Sequence, residues 1–220
     1  MRIVLGAFCL LILSLSAQWT RAYLDLQVMR QLLRDSLTSS TQSEALFARI
    51  EHAAVQQPLN ADIYATLGLA LTMLPMSSEP NGPPRVSMED GANAALLKAL
   101  QLRPGSGHLW AQYAESLFAS EGFSPRVRYA IDRSWGLAPL QHTVVTRVFW
   151  LYMTASRDAP LTGVERTRFA KATDWMQQKE PGQLRAMLDT PGLVDELLAL
   201  DTAVQTRNWL GNHRAKLLNQ

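Results

Sequence analysis

Four histidines, His52, His108, His142 and His213, and one cysteine, Cys9, are the side chains of this sequence best suited to bind metal or attack an electrophile. None of the histidines has a cysteine, aspartate or second histidine at metal-ligand spacing, and no H-E-x-x-H motif occurs. With a single thiol, an internal disulfide and a thiolate zinc site are both excluded. There is no glycine-rich phosphate loop and no G-x-S-x-G nucleophile elbow. Carboxylates cluster at Glu89-Asp90, at Asp195-Glu196 and at Glu165 beside Arg166 and Arg168. The first two clusters read as first-turn residues, where a negative charge favours the helix dipole. A paired-carboxylate hydrolase acting on polysaccharide remains the enzymatic alternative, because it needs only two inward carboxylates facing one sugar. No catalytic residue, metal site or cofactor is assigned, and the expectation is a protein that is not an enzyme.

The side chains left to carry function are aromatic. Trp110, Tyr113 and Trp150 are the candidate partner-binding residues. In the run Val148-Phe149-Trp150-Leu151-Tyr152, a helical spacing points Trp150 away from the face shared by Val148 and Tyr152. His108 and His142 each follow a proline and open a helix, and they read as polar residues in exposed turns.

Periodicity in the rest of the chain is helical, with no useful strand-like alternation, so the expected fold is all-α. Ile50, Ala53 and Ala54 continue a stripe begun by Leu46 and Phe47, after a Thr41–Glu44 capping box. Three segments then share one pattern: a small residue, a proline five positions later, and a bulky residue six beyond that. They are Ala53, Pro58 and Tyr64, continuing through Leu67, Gly68 and Leu71; Ala99, Pro104 and Trp110, continuing through Tyr113, Ala114 and Leu117; and Ser134, Pro139 and Val145, continuing through Val148, Phe149 and Tyr152. A proline cannot continue a helix, so each marks a turn into a new one. Small residues such as Gly68 and Ala114 allow close helix approach, and Tyr64 and Trp110 fill the space between pairs.

These residues resemble the tetratricopeptide repeat, a stack of helix pairs with a 34-residue period. Pro104 and Pro139 are 35 residues apart, near that period, whereas Pro58 and Pro104 are 46 apart. Residues 75–87, with four prolines, read as an inserted loop that accounts for the excess. The third segment is degenerate, with Phe149 where a small residue is expected and Val145 in place of the aromatic. The resemblance implies a short helical solenoid over 44–156, and residues 157–220 are expected to form a helical C-terminal cap. In that cap one helix is expected over 164–178, with Phe169, Ala172 and Trp175 on a common face. Another is expected over 193–210, with Leu197, Leu200, Val204 and Trp209 inward. Pro181-Gly182 and Pro191-Gly192 bound a short helix between them. Ser87 with Asp90, and Ser124 before Pro125, are the expected helix starts.

At the N-terminus, Arg2 precedes the uncharged residues 3–17, and Trp19 and Arg21 close the segment. A span of about 20 residues crosses a bilayer, so residues 1–21 read as a signal anchor or transmembrane helix. Cleavage near Ser14-Leu15-Ser16 and secretion is the alternative. Residues 22–43 are a helical extension and linker. The anchor predicts a single-pass inner- or plasma-membrane protein with most of the chain on the periplasmic side. Lys and Arg total 21 against 19 Asp and Glu, a balance that speaks against nucleic-acid binding. The anchor, the repeat ends Leu102-Arg103-Pro104 and Leu137-Ala138-Pro139, and the chain length are similar to small accessory proteins of bacterial exopolysaccharide or O-antigen synthesis. That resemblance implies a protein–protein scaffold among cell-envelope components. A partner-binding module of a secretion, pilus or cytochrome-maturation assembly is the alternative.

Overall fold

Prolines, hydroxyl caps and one glycine mark several of the helix ends among the described residues. The computed structural model describes residues 48, 50–73, 85–157, 159–188 and 191–218, and every regular element among them is helical. The expected anchor (1–21), the extension (22–43) with its Thr41–Glu44 cap, and most of the proline-rich segment lie outside the described residues. The chain divides into two compact units between Pro104 and Gly105.

The first unit contains α1 (50–56), α2 (Ala61–Met73) and α3 (Arg85–Leu102). Pro58 lies in the turn before α2, and the Asn60 side-chain oxygen accepts from the Asp62 amide at 3.1 Å. Ile50, Ala54, Ile63 and Ala70 form one buried cluster, with Ala53, Tyr64 and Leu67 packed against it. Gly68 is where α2 meets α3: a Cβ there would lie 2.5 Å from Leu96 Cγ and 3.2 Å from the Ala92 carbonyl oxygen. Both Asp62 carboxylate oxygens accept from Arg103, at 3.0 and 3.3 Å, tying the end of α3 to the start of α2.

The start of α3 differs from expectation. It is helical from Arg85, so Ser87 lies inside the helix rather than at the position before it. Glu89-Asp90 accordingly falls outside the first turn, which holds no acidic residue. A helix can start immediately after a proline, because its first residues need no N–H partner within the helix.

The second unit opens with two helix pairs, α4 (Gly107–Glu121) with α5 (Pro125–Leu137) and α6 (His142–Ala155) with α7 (Gly163–Lys179). Ser106 caps α4 by accepting from the Leu109 amide, and Gly122 ends it at φ 67°, a conformation that favours glycine. Ser124 caps α5 with Pro125 in the first turn, as the sequence predicts. The buried Ser134 hydroxyl donates to the Gly107 carbonyl at 2.9 Å. A Cβ on Gly107 would sit 2.7 Å from Ala138 Cβ, so the start of α4 presses on the end of α5. Helix α6 packs on α4 as well as on α5, so the two pairs stack through their first helices. In the degenerate third segment Phe149 is fully buried, and its ring centroid lies 5.4 Å from that of Phe169 on α7. An aromatic layer fills the α6–α7 gap where Gly68 lets α2 and α3 touch.

On α7, Phe169 and Ala172 are buried, but Met176 takes the next inward position and Trp175 is half-buried. The chain continues through α8 (Pro181–Met187), α9 (Pro191–Leu198) and α10 (Val204–Leu218). The single helix expected over 193–210 is therefore two helices. The Asp174 carboxylate on α7 accepts from the Ala203 amide at 3.0 and 3.2 Å, capping α10 from a distant part of the chain. A new helix has a new phase: Leu197 and Leu200 are buried, whereas Val204, expected inward, is 72% exposed. The inward positions of α10 are Thr206, Leu210 and His213, with Trp209 half-buried. Because α9 starts at Pro191, Asp195-Glu196 also lies beyond the first turn. Asp195 pairs with Arg214 on α10, and Glu196 accepts from the Ser156 hydroxyl at 2.9 Å.

Candidate interaction surface

Several charged side chains of the second unit are paired across helices. Glu165, at the third position of α7, forms a capping box with Thr162, and its carboxylate also pairs with Arg128 of α5. Burial pushes this carboxyl up, but the Thr162 amide and hydroxyl and the Arg128 guanidinium outweigh it. The net effect holds Glu165 below the usual carboxylate range. One residue-turn on, Arg168 of α7 pairs with Asp132 of α5. Burial pushes the Tyr152 phenol up to about 12, against the opposing pull of the adjacent Arg168. Arg147 of α6 pairs with Glu115 of α4, and burial holds this guanidinium below its ordinary value. Each of these groups joins two helices, so the third carboxylate cluster of the sequence is a structural fastening. Neither the Thr162–Glu165 capping box nor its arginine partner was recognised in the sequence, although T-x-x-E before an apolar run is its local signature.

Aromatic side chains form two surface groups. In the first, the half-buried Trp110 of α4 meets Tyr129 of α5 edge-on, with centroids 5.7 Å apart, and Tyr113 at 6.2 Å. The Arg133 guanidinium stands over the Trp110 ring at 5.7 Å, and Arg126 donates to the Tyr113 hydroxyl at 3.1 Å. In the second, Trp150 of α6 packs edge-on against Phe118 of α4 at 5.8 Å, and Phe118 continues to Phe123 at 6.4 Å. Arg128 lies 4.3 Å above the Phe123 ring. The structure thus brings Trp110 and Tyr113 together, joined by Tyr129 and Arg133, and places Trp150 in a separate group between α4 and α6. Tyr129 and Arg133 had a legible signal, an exposed i, i+4 pair on the amphipathic α5.

The histidines are dispersed. His52 bonds Gln56 on α1, and His108 is half-buried in the first turn of α4. The exposed His142 sits 3.3 Å from the Glu180 carboxylate and edge-on to Trp175. His213 is buried, with Nε2 at 2.9 Å from the Leu188 carbonyl oxygen and its ring stacked on Trp209. Among the described residues no group of three or more His, Cys, Asp or Glu is placed to hold a metal, and no helix is long and apolar enough to cross a membrane.

No protein-family profile matches this chain, and no curated protein matches it in sequence.

Proposed function

We propose that this chain is a membrane-anchored scaffold of tetratricopeptide-type helix pairs that holds other proteins through surface aromatic side chains. The observation that carries the reading is the packing of α6 on α4, which stacks successive helix pairs through their first helices. Such stacks bind partners along surfaces to which several pairs contribute. Trp110, Tyr113 and Trp150 stand on α4 and α6, the two helices that meet in this way. Trp, Tyr and Arg are also the residues most enriched at energetic centres of protein interfaces. The pairing of charges between helices is consistent with a structural role for them.

The proposed setting is assembly or export of a cell-envelope polysaccharide, with the N-terminal segment holding the helical units at the inner membrane. This narrower part rests on the sequence resemblance in the anchor and the repeat ends. Cross-linked co-purification of the full-length protein from membranes tests both parts. Recovery of polysaccharide polymerase, ligase or export components supports the whole proposal. Recovery of secretion, pilus or cytochrome-maturation components keeps the scaffold and overturns the pathway. Absence of any stable partner overturns the scaffold.

A further inference from the structure

Helix α5 has two shoulders, one fastened to α7 by ion pairs and the other lying against the aromatic rings of α4 with much of its surface exposed. On one side Arg128 and Asp132 reach α7 through Glu165 and Arg168. On the other side Arg126, Tyr129, Arg133 and Leu137 follow one another three and four residues apart, a spacing that aligns them on one face. Tyr129 is 58% exposed and Leu137 41%, and Leu140 just beyond the helix is 73% exposed.

Charge on this shoulder is one-sided. Arg126 shares Glu121, but Arg133 has no carboxylate at ion-pair distance among the described residues, and its guanidinium rests on Trp110. The Asp132 carboxylate faces the opposite shoulder, so it does not neutralise Arg133. Holding the guanidinium on an indole fixes its direction while leaving its donors available, the arrangement that suits a carboxylate. The Trp110–Tyr129 pair is likewise already ordered, so little side-chain freedom is lost on binding.

Resting on the scaffold reading above, we propose that this shoulder, Trp110, Tyr129, Arg133 and Leu137, docks a partner protein segment in which carboxylates are interspersed with aliphatic side chains. Arg133 receives a carboxylate, and Tyr129, Leu137 and Leu140 receive the aliphatic groups. A saccharide is disfavoured because stacking of a sugar needs an open ring face. Here one face of Trp110 lies under Arg133, the rest of the ring is half-buried, and Tyr129 meets it edge-on. The exposed leucines add apolar area that a sugar would not use.

The test uses the full chain and four probes: a helical peptide of leucines and glutamates at three- and four-residue spacing, its glutamine and lysine counterparts, and an oligo-uronate. The glutamate peptide is expected to bind, and to weaken with added salt. Arg133→Ala and Tyr129→Ala are each expected to weaken it about tenfold, as is replacing its glutamates by glutamine. Both positions are exposed, and circular dichroism verifies that the variants stay folded. Lys171→Ala, an exposed change on α7 away from this shoulder, is expected to leave the affinity unchanged. Equal binding of glutamine or lysine peptides overturns the inference, as do indifference to Arg133→Ala, preference for the oligo-uronate and failure of the glutamate peptide to bind. In those cases the scaffold reading is decided separately by the membrane cross-linking, which does not depend on this shoulder.

Discussion

Replacing Gly68 with alanine should destabilise the first unit, whereas the same change at Gly91 should stabilise it. Both glycines lie inside helices, where alanine gains up to about 1 kcal/mol in propensity. They differ in what the new methyl meets. At Gly91 the nearest atom is Leu71 Cδ1 at 3.4 Å, an ordinary contact, so the propensity gain stands. At Gly68 the methyl would meet Leu96 Cγ at 2.5 Å and Cδ2 at 3.0 Å, with the Ala92 carbonyl oxygen at 3.2 Å behind them. Leu96 is fully buried, so it can move only by displacing other core atoms. Overpacking of this kind costs about 1–3 kcal/mol. Offset by the propensity gain, the net loss expected for Gly68→Ala is about 1–2 kcal/mol. The gain expected for Gly91→Ala is about 0.5–1 kcal/mol. Because a chain of two compact units need not unfold in a single step, the assay is hydrogen exchange read peptide by peptide over α2 and α3. Equal protection in the two variants would refute the argument that Gly68 sets the distance between these helices.

Three further outcomes follow from the same geometry. Glu165 titrates lower in the folded chain than the unfolded value of about 4.3. Its contribution is present above that value and is lost as pH falls through the folded one. Glu165→Gln should therefore lower stability near neutral pH and flatten the acid limb in urea titrations, and an unchanged limb would count against the Arg128 and Thr162 contacts. Asp174→Ala should remove the distant cap of α10 at about 1 kcal/mol. It should speed exchange in α10 while leaving α4 and α5 as they were. Phe149→Ala should cost about 3–5 kcal/mol, visible in denaturation followed by tryptophan fluorescence, since Phe149 and Phe169 fill the α6–α7 gap. A loss below 1 kcal/mol would mean that α7 collapses onto α6.

Local chemistry made much of the fold legible. Ser124-Pro125 starts a helix where it stands, because a cap or a missing N–H acts on its own few residues. The small-residue pattern also located Gly68 and Ser134, whose packing needs only a neighbouring helix. Boundaries set by distant groups were not legible. The expected 193–210 helix is broken where Asp174, well upstream, captures the Ala203 amide. Once the helix restarts there, the phase assigned to Val204 no longer holds.

For the candidate surface the division is similar. Residue types and spacing in the sequence singled out Trp110, Tyr113 and Trp150 only as aromatic candidates. Which aromatics share a patch was settled by the crossing of α4 with α5 and with α6. Trp110 joins Tyr129 and Arg133 across one crossing, and Trp150 joins Phe118 across the other. The fates of Arg128, Asp132, Glu165 and Arg168 were decided in the same way. Helical periodicity orders side chains around one axis, whereas pairing between axes depends on where the helices cross, and only the packed structure contains that.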